Sequence, residues 1–550
     1  MLWMLWALWG IVFCGGVFCL LFLLRSSPLQ LVIVLLIAVV AFALRGGMTT
    51  GYFYGLEYED AFVYAAASRL IASTDSGFSV AGLTVCAVGS AAECSMSESF
   101  PGHLPGFPAL LYAAQSVVGF HPWLAPTVGA LVSSTAVLAV WWAAWSIYRS
   151  RLAAAAAALL FAVTPVFALY GGSALSESVS SLPIAVAVGA TAAARRSSGV
   201  KAWWSWHALV LCAVALAATV RRENAILIGI LPAALLAHPV IPLRAGARWV
   251  TMFVWAAVVA FAARPVLMSV MSEAGEYGGS SFGFVRFLET VPSLLRALTA
   301  PKWFGFVALL AVIGMVTAML AVRDSRREQD SGLLLVLATA TLGAIVLYGA
   351  HVRSTYQLMG VPVEPFDFIR YLSNIGVPLC ILAPAASASV RRTRVATTLV
   401  GQRVGWVVFV SYMFLSAGAS WTLREEMVWT EQQVRTEPAL AAIDAASALG
   451  DHYPIVTLEP LVIQLYGNPN TKTIALPLLT PDIVRAFGGK VLYLRQDHYE
   501  NDVNRRRYAE GLSALPVTKV VELRKGHSWT VLTMGPSDPT FDLPASVRPK

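Results

Sequence analysis

Residues 148–178 read YRSRLAAAAAALLFAVTPVFALYGGSALSES, and this stretch carries the plan of most of the chain. It opens on a basic turn at Arg149 and Arg151 and closes on a carboxylate, Glu177. Between them the apolar segment 152–170 is long enough to cross a bilayer as a helix. Apolar runs flank it at 123–147 and 178–194, and others stand at 1–24, 29–44, 205–219, 225–237, 249–271, 303–322, 332–350, 371–389 and 404–423. Together they predict about twelve transmembrane helices. Composition agrees: 13% of residues are charged, against about 25% in ordinary soluble domains. The expected fold class is a polytopic α-helical membrane protein.

The basic residues give the orientation. Arg25, the pair Arg149 and Arg151, the group Arg195, Arg196 and Lys201, the pair Arg244 and Arg248, and the groups at 323–327 and 391–403 fall in alternate loops. Lys and Arg favour the cytoplasmic side, so all these loops are expected there. The other loops then face outward: 45–120, 171–177, 221–224, 272–302, 351–370 and everything after Leu423. The net charge of +8 is accounted for by these turns, which excludes nucleic acid as the expected partner and leaves the lipid bilayer. The segment 104–120, LPGFPALLYAAQSVVGF, is short and broken by Pro and Gly, and reads as an interfacial or re-entrant helix. Residues 1–24 lack a basic start and a small-residue cleavage site, so they read as a helix rather than a signal segment. Richness in Ala, Arg and Val with few Lys suggests a bacterium, and hence its plasma (inner) membrane.

Cys14, Cys19, Cys212 and Cys380 lie in apolar runs, where Cys packs as a small apolar residue. Cys86 and Cys94 share the first outer loop, and an oxidising compartment there favours a disulfide over two separate thiols. Beyond Leu423 the charges return. The chain thus divides into a transmembrane domain, 1–423, with a large first outer loop at 45–120, and an extracytoplasmic domain, 424–550. In the latter, strand-like segments at 455–458, 473–476, 491–494, 518–523 and 529–534 alternate with helix-like ones at 438–449, 460–466, 481–487 and 502–512. That pattern predicts a small α/β layer domain. It has no phosphate-cradling Gly loop and no metal-spaced Cys/His set, and reads as a cap rather than a second catalytic unit.

Polar groups in apolar surroundings are the informative residues of such a chain. Glu57, Glu59 and Asp60 follow the second apolar run. The residues after them, including Phe62, Ala65, Ala66 and Leu70, predict a short amphipathic helix on the outer face. These carboxylates serve either as a general base or metal ligand, or as acids favoured by the positive end of a helix. His103 is either a site residue or a solvated loop histidine. Glu177 is either a site acid or a first-turn acid behind a Ser176 cap. Arg221, Arg222 and Glu223 run against the orientation rule, so a local role such as anion binding is expected. Arg370 and Tyr371 end an outer loop, as anion ligands or as a snorkelling cation and a belt aromatic.

Taken in order, these elements resemble the GT-C membrane glycosyltransferases that use polyprenyl-phosphate sugars: protein O-mannosyltransferases, aminoarabinose transferases and arabinofuranosyltransferases. Glu59-Asp60 stands where that family carries an acidic pair, and HLPGFPALLYAAQSVVGF resembles its His/Lys-x-Pro element. Glu177 matches its second outer acid, VRRENAILIGILP its Arg-x-Glu turn, and FIRYLSNIGVPLCILA its late Arg-Tyr element. The pair departs from the frequent Asp-Asp or Asp-Glu, and an extra N-terminal span precedes the loop. The resemblance implies a GT-C-like fold and an inverting transfer of a sugar from a polyprenyl-phosphate donor. The acceptor would be a hydroxyl of a glycan, lipid or protein on the outer face. It implies Asp60, assisted by Glu59, as catalytic base, and Arg370, Arg221 and Arg222 on the donor phosphate. His103, Glu177, Glu223 and Tyr371 would bind the substrates. A divalent metal is compatible with this chemistry, though no dedicated ligand set stands out. The rival reading is a transporter or lipid flippase, which would favour repeated halves and helices broken near the midplane. No such repeat is present in the sequence. A third reading is a non-catalytic scaffold, in which the clustered acids would be dispensable.

Overall fold

Where no water can reach the backbone, a chain satisfies its own N–H and C=O groups by coiling, so the apolar runs become helices. The computed structural model describes residues 2–46, 64, 65, 67, 68, 104–119, 121, 123–227, 231, 250, 253–257, 284–323, 332–346, 365–386 and 399–431. It also describes strand residues 455–457, 473–475, 490–495, 517–524 and 527–533. Two units separate: one of Met1–Thr50, Pro101–Val117 and Leu124–Glu426, the other of Gly51–Phe100, Val118–Trp123 and Met427–Lys550.

The first unit is helical. Its helices are α1 (Leu2–Ser26), α2 (Pro28–Leu44), α3 (Gly106–Val118), α4 (Leu124–Tyr148), α5 (Arg151–Val163), α6 (Pro165–Gly171), α7 (Ser176–Arg195) and α8 (Val200–Val220). They continue with α9 (Phe284–Thr299), α10 (Val307–Arg323), α11 (Gly332–Val346), α12 (Pro365–Ser373), α13 (Gly376–Leu382) and α14 (Leu399–Glu431). Among the described residues, α4, α7 and α8 are each long and apolar enough to cross a membrane, and α5 with α6 forms a bent apolar pair of the kind found in a broken span or a re-entrant loop. Helix α7 is almost wholly enclosed, packed between α4 and α8. Gly189 lets α7 approach α4 so closely that a Cβ there would meet the Trp142 ring. Large apolar side chains point outward from α2 (Leu36, Val39), α10 (Val312, Leu320) and α14 (Phe414, Leu415). Continuous apolar surface of this kind belongs against lipid.

Helix boundaries follow local chemistry. Arg149 adopts φ 53°, a left-handed conformation, and reverses the chain between α4 and α5. Ser150 then caps α5, accepting from the Ala153 N–H at 3.3 Å. The expectation of one continuous helix over 152–170 needs correction. The helix breaks at Thr164, and α5 and α6 meet at 63°. Pro165 has no N–H, so it cannot donate to the carbonyl of Phe161, four residues back. Three distant groups repair the break. Arg45 Nη2 donates to Phe161 O at 3.0 Å, Ser420 Oγ to Val163 O at 2.7 Å, and Val166 N to Trp303 O at 3.0 Å. The run expected at 371–389 is likewise split. Helix α12 ends at Ser373, and α13 restarts at Gly376 beyond a turn at Asn374 and Ile375. Here Pro378 supplies no N–H to Asn374 O.

Contacts sort the helix ends into two sets. Arg196 Nη2 donates to Ile147 O at 2.6 Å, so α4 and α7 finish at one end. Arg221 Nη1 donates to Ser176 Oγ at 3.0 Å, so α7 begins where α8 finishes, at the other end. The end of α2 lies at that second end too: Gly172 packs against the Arg45 carbonyl, and a side chain there would collide with it. Arg424 of α14 donates to Ala43 O at 2.9 Å, which brings the late part of α14 alongside. The basic turns at 149–151 and 195–196 therefore share one end, and the segments at 171–177 and 221–224 share the other, as their alternation in the sequence predicts. Helix α3 falls within the segment expected to be interfacial. It starts with Gly106 against Thr219 and Val220 at the end of α8, and Trp9 Nε1 donates to Gly106 O at 2.9 Å.

The second unit contains a five-stranded sheet in the order β2-β1-β3-β5-β4, from β1 (Ile455–Thr457), β2 (Thr473–Ala475), β3 (Lys490–Arg495), β4 (Val517–Arg524) and β5 (His527–Thr533). Strand β1 pairs in parallel with β2 and β3, and β5 runs antiparallel to both β3 and β4. Strands lie at all five expected places. The helical segments expected between them lie outside the described residues. Parallel neighbours need crossovers of about a dozen residues or more, usually helical, and 458–472 and 476–489 supply that length. Tyr64, Ala65, Ala67 and Ser68 are helical and buried, within the segment expected to form a short helix after Asp60.

Candidate functional site

Three segments meet at the end of the bundle where α7 begins. Glu177 lies in the first turn of α7, Arg221 terminates α8, and Arg370 sits in the last turn of α12. Each charge complements the helix end it occupies: the carboxylate faces a positive N-terminus, the guanidinium groups face negative C-termini. Arg221 Nη1 approaches Glu177 Oε1 at 2.7 Å, and Arg370 Nε approaches the same oxygen at 2.8 Å. Glu223 pairs with Arg221 at 3.3 Å and with Arg222 at 3.7 Å. Arg221 ends α8 in an extended conformation, and Arg222–Ala225 then forms a single 3-10 turn. That turn sets three consecutive charged side chains at one corner.

The Glu177 side chain is 1% exposed, whereas Arg370 and Arg222 are 14% and 18% exposed. The carboxylate is thus the floor of the cluster, and these two guanidinium groups form its rim. Among the described residues, three guanidinium groups gather around two carboxylates in partly buried surroundings. Such an arrangement suits an anion, because Arg presents a rigid fork of donors to phosphate or carboxylate oxygens. Tyr371 lies beside it, its ring centroid 5.7 Å from Arg370 Cζ.

Of the residues singled out in the sequence, the structure brings together Glu177, Arg221, Arg222, Glu223, Arg370 and Tyr371. Asp60, Glu59, His103, Cys86 and Cys94 lie outside the described residues. Two local expectations change. Leu175, not Ser176, is the N-cap of α7, and the Ser176 hydroxyl instead accepts from Arg221. Arg370 does not simply extend towards water, since its Nε is held by Glu177. Among the described residues no group of three or more His, Cys, Asp or Glu could hold a metal ion. The cluster itself does not fit one, because Glu177 Oε1 is already shared by two cations.

The sequence matches no protein-family model and no curated protein. Its architecture does have solved counterparts. It superposes on ArnT from Cupriavidus metallidurans bound to undecaprenyl phosphate with a TM-score of 0.56, at 14% identity, over 92% of this chain and 98% of that one. The likeness is one of fold, and this neighbour is a GT-C superfamily enzyme. The same likeness extends to the Archaeoglobus fulgidus oligosaccharyltransferase. Its complex with Zn and sulfate matches with a TM-score of 0.52, at 11% identity, over 90% of this chain and 72% of that one. Its complex with an inhibitory peptide and a dolichol-phosphate matches at 0.50 and 12% identity, over 85% and 69%.

Within this GT-C-like fold the sequence reading overlooked four residues. Ser180, Asn224 and Asn374 form a buried hydrogen-bonded ring beside the ion cluster. Arg45, read only as the start of a loop, is fully buried and holds the break between α5 and α6. The available signal was positional: Ser180 and Asn224 each follow a charged site residue by three positions, and Asn374 follows Arg370 by four.

Proposed function

We propose that the protein is a membrane glycosyltransferase that moves a sugar from a polyprenyl-phosphate donor to an acceptor hydroxyl on the extracytoplasmic face of a bacterial inner membrane. The single observation that carries this reading is the Glu177–Arg221–Arg222–Glu223–Arg370 cluster, three guanidinium groups gathered over a buried carboxylate at one end of a bundle with a GT-C-like fold. In this reading the lipid tail stays in the bilayer and the phosphate reaches the arginine rim. Arg370, Arg221 and Arg222 hold the phosphate, while Glu177 and Glu223 keep the cations in place and limit their net charge. Asp60, assisted by Glu59, removes the proton of the acceptor hydroxyl. The acceptor oxygen then attacks the sugar's anomeric carbon as the bond to the phosphate oxygen breaks, inverting that centre. The electron pair leaves with the lipid phosphate, where guanidinium groups stabilise it. His103 and Tyr371 line the sugar or acceptor, and Cys86 and Cys94 cross-link the outer loop. A divalent cation, where the reaction uses one, would be held by the carboxylates of Glu57, Glu59 and Asp60.

The test is to incubate purified protein with a panel of polyprenyl-phosphate sugars and to measure release of the lipid phosphate. One member of the panel is expected to be consumed. A positioned base contributes about 10²–10⁴-fold to the rate, so Asp60→Asn should lower release by that factor. A helix-end acid would cost only about 0.3–2 kcal/mol of stability and leave the chemistry intact. Folded Asp60→Asn protein working within a few-fold of wild type would remove Asp60 from the base role. The same loss in Glu59→Gln alone would move the role one residue back.

A further inference from the structure

Beside the ion cluster lies a second, uncharged tier. Asn224 Nδ2 donates to Ser180 Oγ at 2.7 Å, Ser180 Oγ to Asn374 Oδ1 at 2.7 Å, and Asn374 Nδ2 to Asn224 Oδ1 at 2.9 Å. The bonds run in one direction around a closed ring, an arrangement in which each bond polarises the next. All three side chains are buried. The amide of Asn224 has a fixed sense, because its Nδ2 also donates to the Ala217 carbonyl at 2.9 Å, and a carbonyl can only accept.

The ring joins the same three segments as the ion cluster. Ser180 follows Glu177 by three residues, Asn224 follows Arg221 by three, and Asn374 follows Arg370 by four. Glu177 and Ser180 lie on one face of α7, one turn apart, while Asn224 N–H donates to the Arg221 carbonyl at 3.1 Å and Asn374 N–H to the Tyr371 carbonyl at 3.3 Å in the turns that follow α8 and α12. The charged tier is made of long side chains with several rotatable bonds. The neutral tier is made of short ones, whose contacts fix backbone against backbone. Asn374 also occupies the turn where α12 ends and α13 begins, so it governs how the helix carrying Arg370 leaves the bundle.

We infer that the Ser180–Asn224–Asn374 ring is a positioning device that sets the spacing of Arg221 and Arg370 for the lipid phosphate. This rests on the phosphate reading given above and deepens it. The three residues touch no substrate; they act through the two arginines. Removing one member leaves buried polar groups without their partners and frees α12 to shift. A displacement of about 1 Å at a site of this kind costs up to about 100-fold.

The probe is undecaprenyl phosphate, its Kd measured on the folded, monodisperse protein in detergent, with melting temperature recorded in parallel. Ser180→Ala and Asn374→Ala should each weaken binding about tenfold or more. Ser180→Thr, which keeps the hydroxyl, should restore it. Combining Ser180→Ala with Asn374→Ala should be no worse than the weaker-binding single variant, because a ring opened once is already open. Arg370→Ala and Arg221→Ala serve as references and should weaken binding outright. Wild-type affinity in both ring variants, with lowered melting temperature and weakened arginine variants, would make the ring merely structural and overturn the inference alone. So would a folded Ser180→Thr protein that binds like Ser180→Ala, or losses that simply add. Wild-type affinity in the arginine variants would overturn the phosphate reading, and the ring's role with it.

Discussion

At the end of the bundle where α4 and α7 finish, Arg196 donates to the Ile147 carbonyl and Arg149 lies 4.6 Å from the centroid of the Trp145 ring. At the opposite end, where α7 begins and α8 finishes, Arg221 and Arg370 close on the carboxylate of Glu177. The same side chain is held at one end by a carbonyl and an aromatic face, and at the other by a buried counter-charge. From Arg149 to Lys201 the one acid is Glu177, and it lies at the far end from the basic turns. Burial, with Arg149 and Arg195 nearby, pushes the Arg196 guanidinium down to about 10, which leaves it charged at neutral pH. Cations gathered in the turns at one end of the bundle mark a side of the membrane. Cations gathered over a buried acid present forks of donors that suit an anion. The difference teaches that orientation and chemistry use the same residue and are told apart by its partners.

The all-or-none way to break the comparison is topological. If the basic turns face the cytoplasm, a reporter active only there should work when inserted after Lys201 and stay silent when fused after Lys550. Activity after Lys550 would put the cluster and the C-terminal domain on the wrong side for the proposed reaction.

Next comes the acid itself. Glu177→Gln keeps the shape and one acceptor oxygen, replaces the other oxygen with an NH2 donor, and deprives Arg221 and Arg370 of their shared counter-charge. Breaking a buried pair by removing one partner costs about 3–5 kcal/mol. The expected result is a large fall in melting temperature in detergent, partly recovered in the double variant Glu177→Gln/Arg370→Gln, since the second change removes a stranded cation. A Glu177→Gln protein as stable as wild type would show that the cluster is not the buried ionic centre its geometry describes.

Much of this was legible in the sequence, and the gaps have physical causes. Apolar runs gave the helices because lipid-level surroundings allow the backbone little else. Glu177, Arg221 and Arg370 stood out because charge in apolar surroundings is costly and rarely incidental. The breaks at Thr164 and Asn374 were not legible. Pro165 and Pro378 sit in hydrophobic runs, and a proline kinks or ends a helix according to whether distant groups satisfy the freed carbonyls. Here Arg45 and Ser420 do so for the first break, from more than a hundred residues away in either direction. Ser180, Asn224 and Asn374 are neutral and scattered, so only their meeting in space gives them meaning. The helices of the C-terminal domain, the acidic pair Glu59-Asp60 and the pairing of Cys86 with Cys94 remain proposals from sequence.

The smallest effect should come from the other end. Arg196→Met keeps an apolar stem of similar reach and removes the charge. It loses the hydrogen bond to Ile147 O, which for a charged donor is worth about 1.5–3 kcal/mol. It also removes a cation from beside Arg149 and Arg195, whose repulsion opposes the folded state. The two changes have opposite signs, so the net loss should be about 1 kcal/mol, well under the cost of Glu177→Gln. Melting temperatures of the two variants in one detergent make the comparison direct. Phosphate-lipid affinity should not change in Arg196→Met, because the residue lies at the far end of α7 from the cluster. A fall in stability equal to that of Glu177→Gln would mean that both ends are specified by charge, and the division between an orienting end and a binding end would not stand.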